Sequence, residues 1–104
     1  MLQKGIELFN QKRFFKAHEV WEKLWLNAKE DKKFLQGLIF ISGGYHHYLN
    51  SNKEGCILFL ERGIEYLSKF KNNKKINVKR LIKDVKETII NINYEFNMPK
   101  IYLR

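Results

Sequence analysis

The chain has 104 residues, 44% hydrophobic and 14% aromatic, with 20 basic against 11 acidic side chains and a net charge of +9. That length builds one domain with a single core, and the lone Cys56 excludes an internal disulfide and fits a reducing compartment. No run of about 18 uncharged apolar residues exists to span a membrane, and the opening Met1-Leu2-Gln3-Lys4-Gly5-Ile6-Glu7 lacks the continuous apolar core and cleavage site of a secretion signal.

In chain order, residues 3–11 read as a short helix carrying Ile6, Leu8 and Phe9, followed by the polar joint Asn10-Gln11-Lys12-Arg13. A second helix runs to about Ala28. At ~100° per residue, Phe14, Ala17, His18, Trp21, Leu24 and Trp25 share one side of it, with Glu22 at the margin and Glu19 further round. A core-facing stripe does not need a titratable residue at its centre, so His18 must find a polar partner inside the fold. Trp21 and Trp25 read as core anchors. The short charged break Lys29-Glu30-Asp31-Lys32 suits a link between antiparallel neighbours, with Asp31 as N-cap of the next helix.

The third helix, about 32–50, is apolar around most of its girth and is therefore the expected central element. Gly37 and Gly44 lie on one face, where a neighbouring backbone or an indole can press close. Gln36, Phe40, Gly43 and His47 form the adjacent face, and His46 lies about a quarter-turn away. After the turn Asn50-Ser51-Asn52, with Asn52 as cap, a fourth helix over 53–70 carries Cys56, Phe59, Leu60, Gly63, Leu67 and Phe70 on one stripe. Cys56 there is a small inert hydrophobe.

Lys71 to Lys75 is a loop. A fifth helix, 78–96, capped by Asn77, places Val78, Ile82, Val85, Ile89, Ile92 and Phe96 at alternating four- and three-residue steps. Pro99 forbids its continuation, leaving residues 1–98 as a single helical domain and 99–104 as a C-terminal tail. The fold class is all-α: about five helices in antiparallel hairpins, forming a compact bundle around the apolar third helix. A faint repeat relates Phe9-Asn10…Ala17…Trp21 to Leu49-Asn50…Cys56…Leu60 at an offset of 39 or 40, unlike the period and signature of tetratricopeptide hairpins.

The basic surplus is local: residues 1–68 hold 10 basic and 8 acidic groups, whereas residues 69–104 hold 10 and 3. Lys69, Lys71, Lys74, Lys75, Lys79, Arg80, Lys83 and Lys86 supply most of it. With few aromatics among them and no nucleic-acid motif, a solvated face explains this run better than a nucleic-acid site. The long stripe of the fifth helix is a candidate homodimer seam.

Phe9-Asn10-x-x-x-Phe14-Phe15-x-Ala17-His18-Glu19-x-Trp21-Glu22-x-x-Trp25, then Gln36-Gly37-Leu38-Ile39, Tyr45-His46-His47 and Asn52-x-x-Gly55, resembles domain-of-unknown-function family 309. These are small helical proteins of bacteria and some plastids, marked by an AHE-x-W-E motif. The likeness runs from about residue 3 to 67. It implies an all-helical fold, a cytoplasmic or plastid-stromal location and, by motif analogy, a metal-dependent hydrolase.

Two chemistries fit these residues. In the first, His18 and Glu22, four apart on one helix, reach one Zn²⁺ or Fe²⁺ ion with His47 or His46 as third ligand. Glu19, placed as the base is in His-Glu-x-x-His zinc sites, or Glu22 then deprotonates a bound water, although Glu22 stands where that motif has its second histidine. In the second, His18, Glu22 and Gln36 form a buried hydrogen-bond cluster that sets helix register in a non-catalytic structural or protein-interaction module.

Overall fold

In the computed structural model, which describes residues 1–104, the chain forms α1 (Leu2–Asn10), α2 (Phe14–Asn27), α3 (Lys32–Leu49), α4 (Lys53–Leu67) and α5 (Val78–Ile90), with a 3₁₀ turn at Ser68–Phe70. The fold is all-α, and α3 is its centre, packed along α2 on one side and along α4 on the other. Its apolar girth explains this position, since Phe34, Leu35, Leu38, Ile39, Ile41 and Tyr45 are all buried.

The two hairpins α1–α2 and α3–α4 are built alike. α1 ends where Lys12 turns left-handed at φ 64°, with Lys12 N–H donating to the Phe9 carbonyl and Arg13 N–H to that of Leu8, both at 2.9 Å. α3 ends with Ser51 at φ 61°, Ser51 N–H donating to Tyr48 at 3.0 Å and Asn52 N–H to His47 at 2.9 Å. A left-handed residue with a Cβ costs about 1 kcal/mol, offset here because the turn satisfies carbonyls that a helix end leaves unpaired.

The equivalence extends into the core at a constant offset of 39: Gly5 with Gly44, Lys12 with Ser51, Ala17 with Cys56, and Trp21 with Leu60. Trp21 lies against Gly5, and Leu60 lies against Gly44. Ala17, Cys56, Trp21 and Leu60 are each 0% exposed. The faint sequence repeat is thus a repeated hairpin in which a large side chain on the second helix fills the gap above a glycine on the first.

Several expectations are revised. The indole presses on Gly5 and not on α3; Gly37 receives Leu67, and Gly44 receives Leu60 together with the Cys56 backbone carbonyl, the close backbone expected there. Asn52 and Asn77 cap α4 and α5 by accepting from Gly55 N–H (2.9 Å) and Arg80 N–H (3.1 Å), but the Asp31 side chain makes no capping bond to α3. The fifth helix stops at Ile90 rather than 96, where Asn91 donates through Nδ2 to the Glu87 carbonyl at 2.9 Å. The spacing misled because Ile92 and Phe96 still face inward from a non-helical segment, Phe96 meeting Tyr48 at 5.1 Å between ring centroids.

Residues 99–104, read above as a tail, return to the body. Ile101 is 2% exposed, and its backbone N–H and carbonyl are both bound by the Asn10 side chain, at 2.7 and 3.0 Å. Leu103 forms an isolated antiparallel bridge with Ile76. The α5 stripe proposed as a dimer seam is used within the chain, where Val78, Leu81, Ile82, Val85 and Thr88 are buried. Tyr45 lies where four helices meet. Its ring sits 5.9 Å from Phe9 and 5.3 Å from Phe14, and its hydroxyl is 2.7 Å from Thr88 Oγ1 on α5. No helix is long and apolar enough to cross a membrane.

Candidate functional site

The motif segment divides by side of α2. Phe14, Ala17 and Trp21 are buried, with Trp21 Nε1 donating to the Leu2 carbonyl at 3.3 Å, so these residues hold α2 against α1 and α3. Phe15, His18, Glu19 and Glu22 look outward to different degrees. The His18 side chain is 22% exposed and that of Glu22 is 55% exposed. Glu19 is exposed, and its carboxylate has no hydrogen-bond or ion-pair partner.

His18 leans on Gly43 of α3, where an added Cβ would come within 3.6 Å of Nδ1. That is an ordinary contact, and the side chain for which Gly43 makes room is Phe59 of α4, whose Cδ2 would lie 2.8 Å from the added Cβ; Nδ1 itself lies 3.3 Å from the Ile39 carbonyl of α3. That oxygen also accepts from Ser42 Oγ at 3.0 Å. A carbonyl only accepts, so a hydrogen bond there requires the hydrogen on Nδ1. Nε2 faces Glu22 Oε1 at 3.0 Å. The tautomer that donates from Nε2 bonds the Glu22 carboxylate, and the one that donates from Nδ1 bonds the Ile39 carbonyl.

The remaining predicted residues lie nearby but do not join this pair. Gln36 is half-buried and makes no side-chain hydrogen bond; the second partner of the imidazole is a backbone carbonyl instead. His46 packs against Phe15 at 5.0 Å, and Asn50 Nδ2 donates to its backbone carbonyl at 2.9 Å. His47 sits edge-on to Phe59 at 4.7 Å, with Asn52 Nδ2 3.4 Å from its Nδ1. Both of these histidines are half-buried, and their rings are 6.4 Å apart.

A catalytic zinc site takes three protein ligands with an open fourth position. No three His, Cys, Asp or Glu side chains of the chain converge on a point that could hold a metal ion. His18 and Glu22 supply two ligands, and neither His46 nor His47 supplies the third, so the donor set does not fit the expected metal centre.

A family model described as Domain of unknown function (DUF309) matches residues 2–58. The chain belongs to this family. The DUF309 match takes in α1, α2, α3 and the first part of α4, and therefore the whole His18 cluster, but stops short of the expected limit at 67. A comparison with curated proteins finds no match to this DUF309 domain.

Sequence reasoning missed the best-buried polar contact. Thr88 interrupts the α5 stripe, is 1% exposed, and bonds the 0% exposed Tyr45. Burial raises the Tyr45 phenol well above its ordinary range, against the smaller lowering effect of the Thr88 hydrogen bond. A lone threonine in an otherwise aliphatic stripe was the available signal.

Proposed function

We propose that this DUF309 domain is a non-catalytic structural or protein-interaction module, whose motif polar residues hold helices together. The observation that carries the reading is that His18 of α2 lies against the Ile39 carbonyl of α3, with its other nitrogen facing Glu22 one turn along α2. A pair as open as the one with Glu22 contributes less than about 1 kcal/mol, so its effect is to orient the ring towards the Ile39 carbonyl. The buried Cys56 thiol and the lack of any other cysteine support work in a reducing compartment, the cytoplasm or a plastid stroma.

The competing reading, a metal-dependent hydrolase using Zn²⁺ or Fe²⁺, draws on the same two side chains, an imidazole nitrogen and a carboxylate oxygen 3.0 Å apart on one helix face. Metal analysis of protein purified without a histidine tag, for wild type and His18→Ala, separates the two. The module reading expects substoichiometric metal in both. The variant should be folded and less stable by about 1–2 kcal/mol, from one lost hydrogen bond and part of a buried ring. One equivalent of metal in wild type, lost from a folded His18→Ala, would overturn it.

A further inference from the structure

At the end of the bundle where α2 stops and α3 begins, a cleft of about 520 Å³ opens. Its floor is apolar: Leu2 from α1, Leu24 and Ala28 from the end of α2, and Phe34 and Leu35 from the first turn of α3. The cleft opens where α2 ends at Asn27 and Ala28, one of its lining residues, turns extended at ψ 144°.

The rim is cationic. Lys23 stands on α2, and Lys74 and Lys75 come from the loop before α5. Against these three lysines the lining has one acid, Asp31, a balance of 3 − 1 = +2. None of the three lysines is in an ion pair, since the only two pairs in the protein are His18–Glu22 and Arg80–Asp84. Lys32 is already engaged, donating to the Trp25 carbonyl at 2.6 Å and lying 3.9 Å from the indole centroid.

The loop that carries two of these lysines is held in place. Asn73 Oδ1 accepts from the N–H groups of Lys75 (2.8 Å) and Ile76 (3.0 Å). Arg104 clamps it from outside, donating through Nη1 to the Asn73 carbonyl at 2.8 Å and through its backbone N–H to Lys75 at 3.1 Å. The returning C-terminal segment thus fixes the rim of a cleft whose volume is in the range of small-molecule sites, about 300–1,000 Å³.

We propose that this cleft binds an amphipathic organic anion, one carboxylate on an apolar body, with the body on the Leu24–Phe34 floor and the carboxylate against Lys23, Lys74 and Lys75. A neutral apolar ligand leaves the lysines unused, and a small polar anion leaves the floor in water; only the combination matches both parts. The cleft shares no residue with the His18 cluster, so this proposal and the module reading stand or fall separately.

The test is a titration of the ¹⁵N-labelled full chain with sodium decanoate below its micellar concentration, with decanol and sodium acetate as comparators. Saturable amide shifts are expected at Lys23–Ala28, Phe34–Leu35 and Asn73–Lys75. Decanol and acetate should each bind at least about tenfold more weakly. The pair Lys74→Glu and Lys75→Glu, both on exposed loop positions, should weaken decanoate about tenfold. Ala28→Phe, which fills the floor from a half-buried position, should remove binding while leaving the melting curve intact. Absence of saturation, shifts centred elsewhere, decanol binding as tightly as decanoate, or unchanged affinity in both folded variants would each overturn the proposal.

Discussion

Replacing Gly5 by alanine tests whether the indole of the motif is held by a helix–helix contact rather than by a site. An alanine methyl at this position falls on Trp21 Nε1 and Cε2, and even Cδ1 is only 2.7 Å away. The indole has no room to retreat, since Trp21 is 0% exposed and its Nε1 is tied to the Leu2 carbonyl at 3.3 Å. Two effects oppose each other. Gly→Ala inside a helix gains about 1 kcal/mol of propensity. Overpacking a filled core costs about 1–3 kcal/mol, and loss of the indole hydrogen bond adds about 1. The net expectation is destabilisation by about 1–3 kcal/mol, or a Tm lower by roughly 5–20 °C for a domain of this size. Urea unfolding followed by Trp fluorescence and circular dichroism measures it. The diagnostic arm is the same substitution in a Trp21→Leu background, where the shorter side chain leaves space and the methyl should become neutral or stabilising by up to about 1 kcal/mol. A stabilised Gly5→Ala in wild type, or a penalty unchanged by Trp21→Leu, would refute the reasoning.

Two further outcomes follow from the buried polar groups. Tyr45→Phe should cost about 1 kcal/mol, because Thr88 keeps a hydrogen bond to the Asp84 carbonyl at 3.3 Å. Thr88→Val should cost more, about 1–3 kcal/mol, because it leaves the phenol without a partner. The double variant should then be less destabilised than the sum of the two by about 1 kcal/mol or more in urea unfolding, and strict additivity would show the pair to be uncoupled. Burial pushes the Cys56 thiol up from 9.0 to about 11, so between these pH values an unfolded chain loses the thiol proton while the folded chain keeps it. Stability is therefore full below about pH 9 and falls by about 2–3 kcal/mol towards pH 11, in the same direction as the buried Tyr45. Cys56→Ala should flatten that fall, and equal slopes in the two proteins would contradict the assignment.

The helices were legible because their signals are local. The stripes of α2, α4 and α5, the caps Asn52 and Asn77, and the apolar girth of α3 all depend on spacing along one segment. Boundaries failed where a non-helical turn kept the same residues inward: Ile92 is 6% exposed and Phe96 meets Tyr48, so the α5 period continues past the point where the helix stops. The return of residues 99–104 was hidden for a related reason. Its anchor is Asn10, 91 residues away in sequence, and a single asparagine in a polar joint carries no mark of the segment it will bind.

The candidate site was only half legible, and the missing half is the part made by backbone. His18 and Glu22 announce themselves by their four-residue spacing, but the partner of Nδ1 is the Ile39 carbonyl, and every residue offers a carbonyl. The nearby Gly43 does not mark the place either, since the side chain that fills its gap is Phe59 of α4. The anion cleft is less visible still. Its floor comes from three helices and its rim from a loop fixed by Arg104, so no window of sequence contains it. The lysines that composition presents as a diffuse surplus acquire meaning only through what lies beneath them: Lys79, Lys83 and Lys86 border a hollow of about 420 Å³ whose apolar side chains are Ile82 and the exposed Ile90, whereas Lys23, Lys74 and Lys75 frame one of about 520 Å³ with five apolar residues. Charge alone does not separate the two groups. The apolar floor under them does, five residues against two, and for that reason the decanoate titration with Lys74 and Lys75 reversed reads a property that net charge cannot supply.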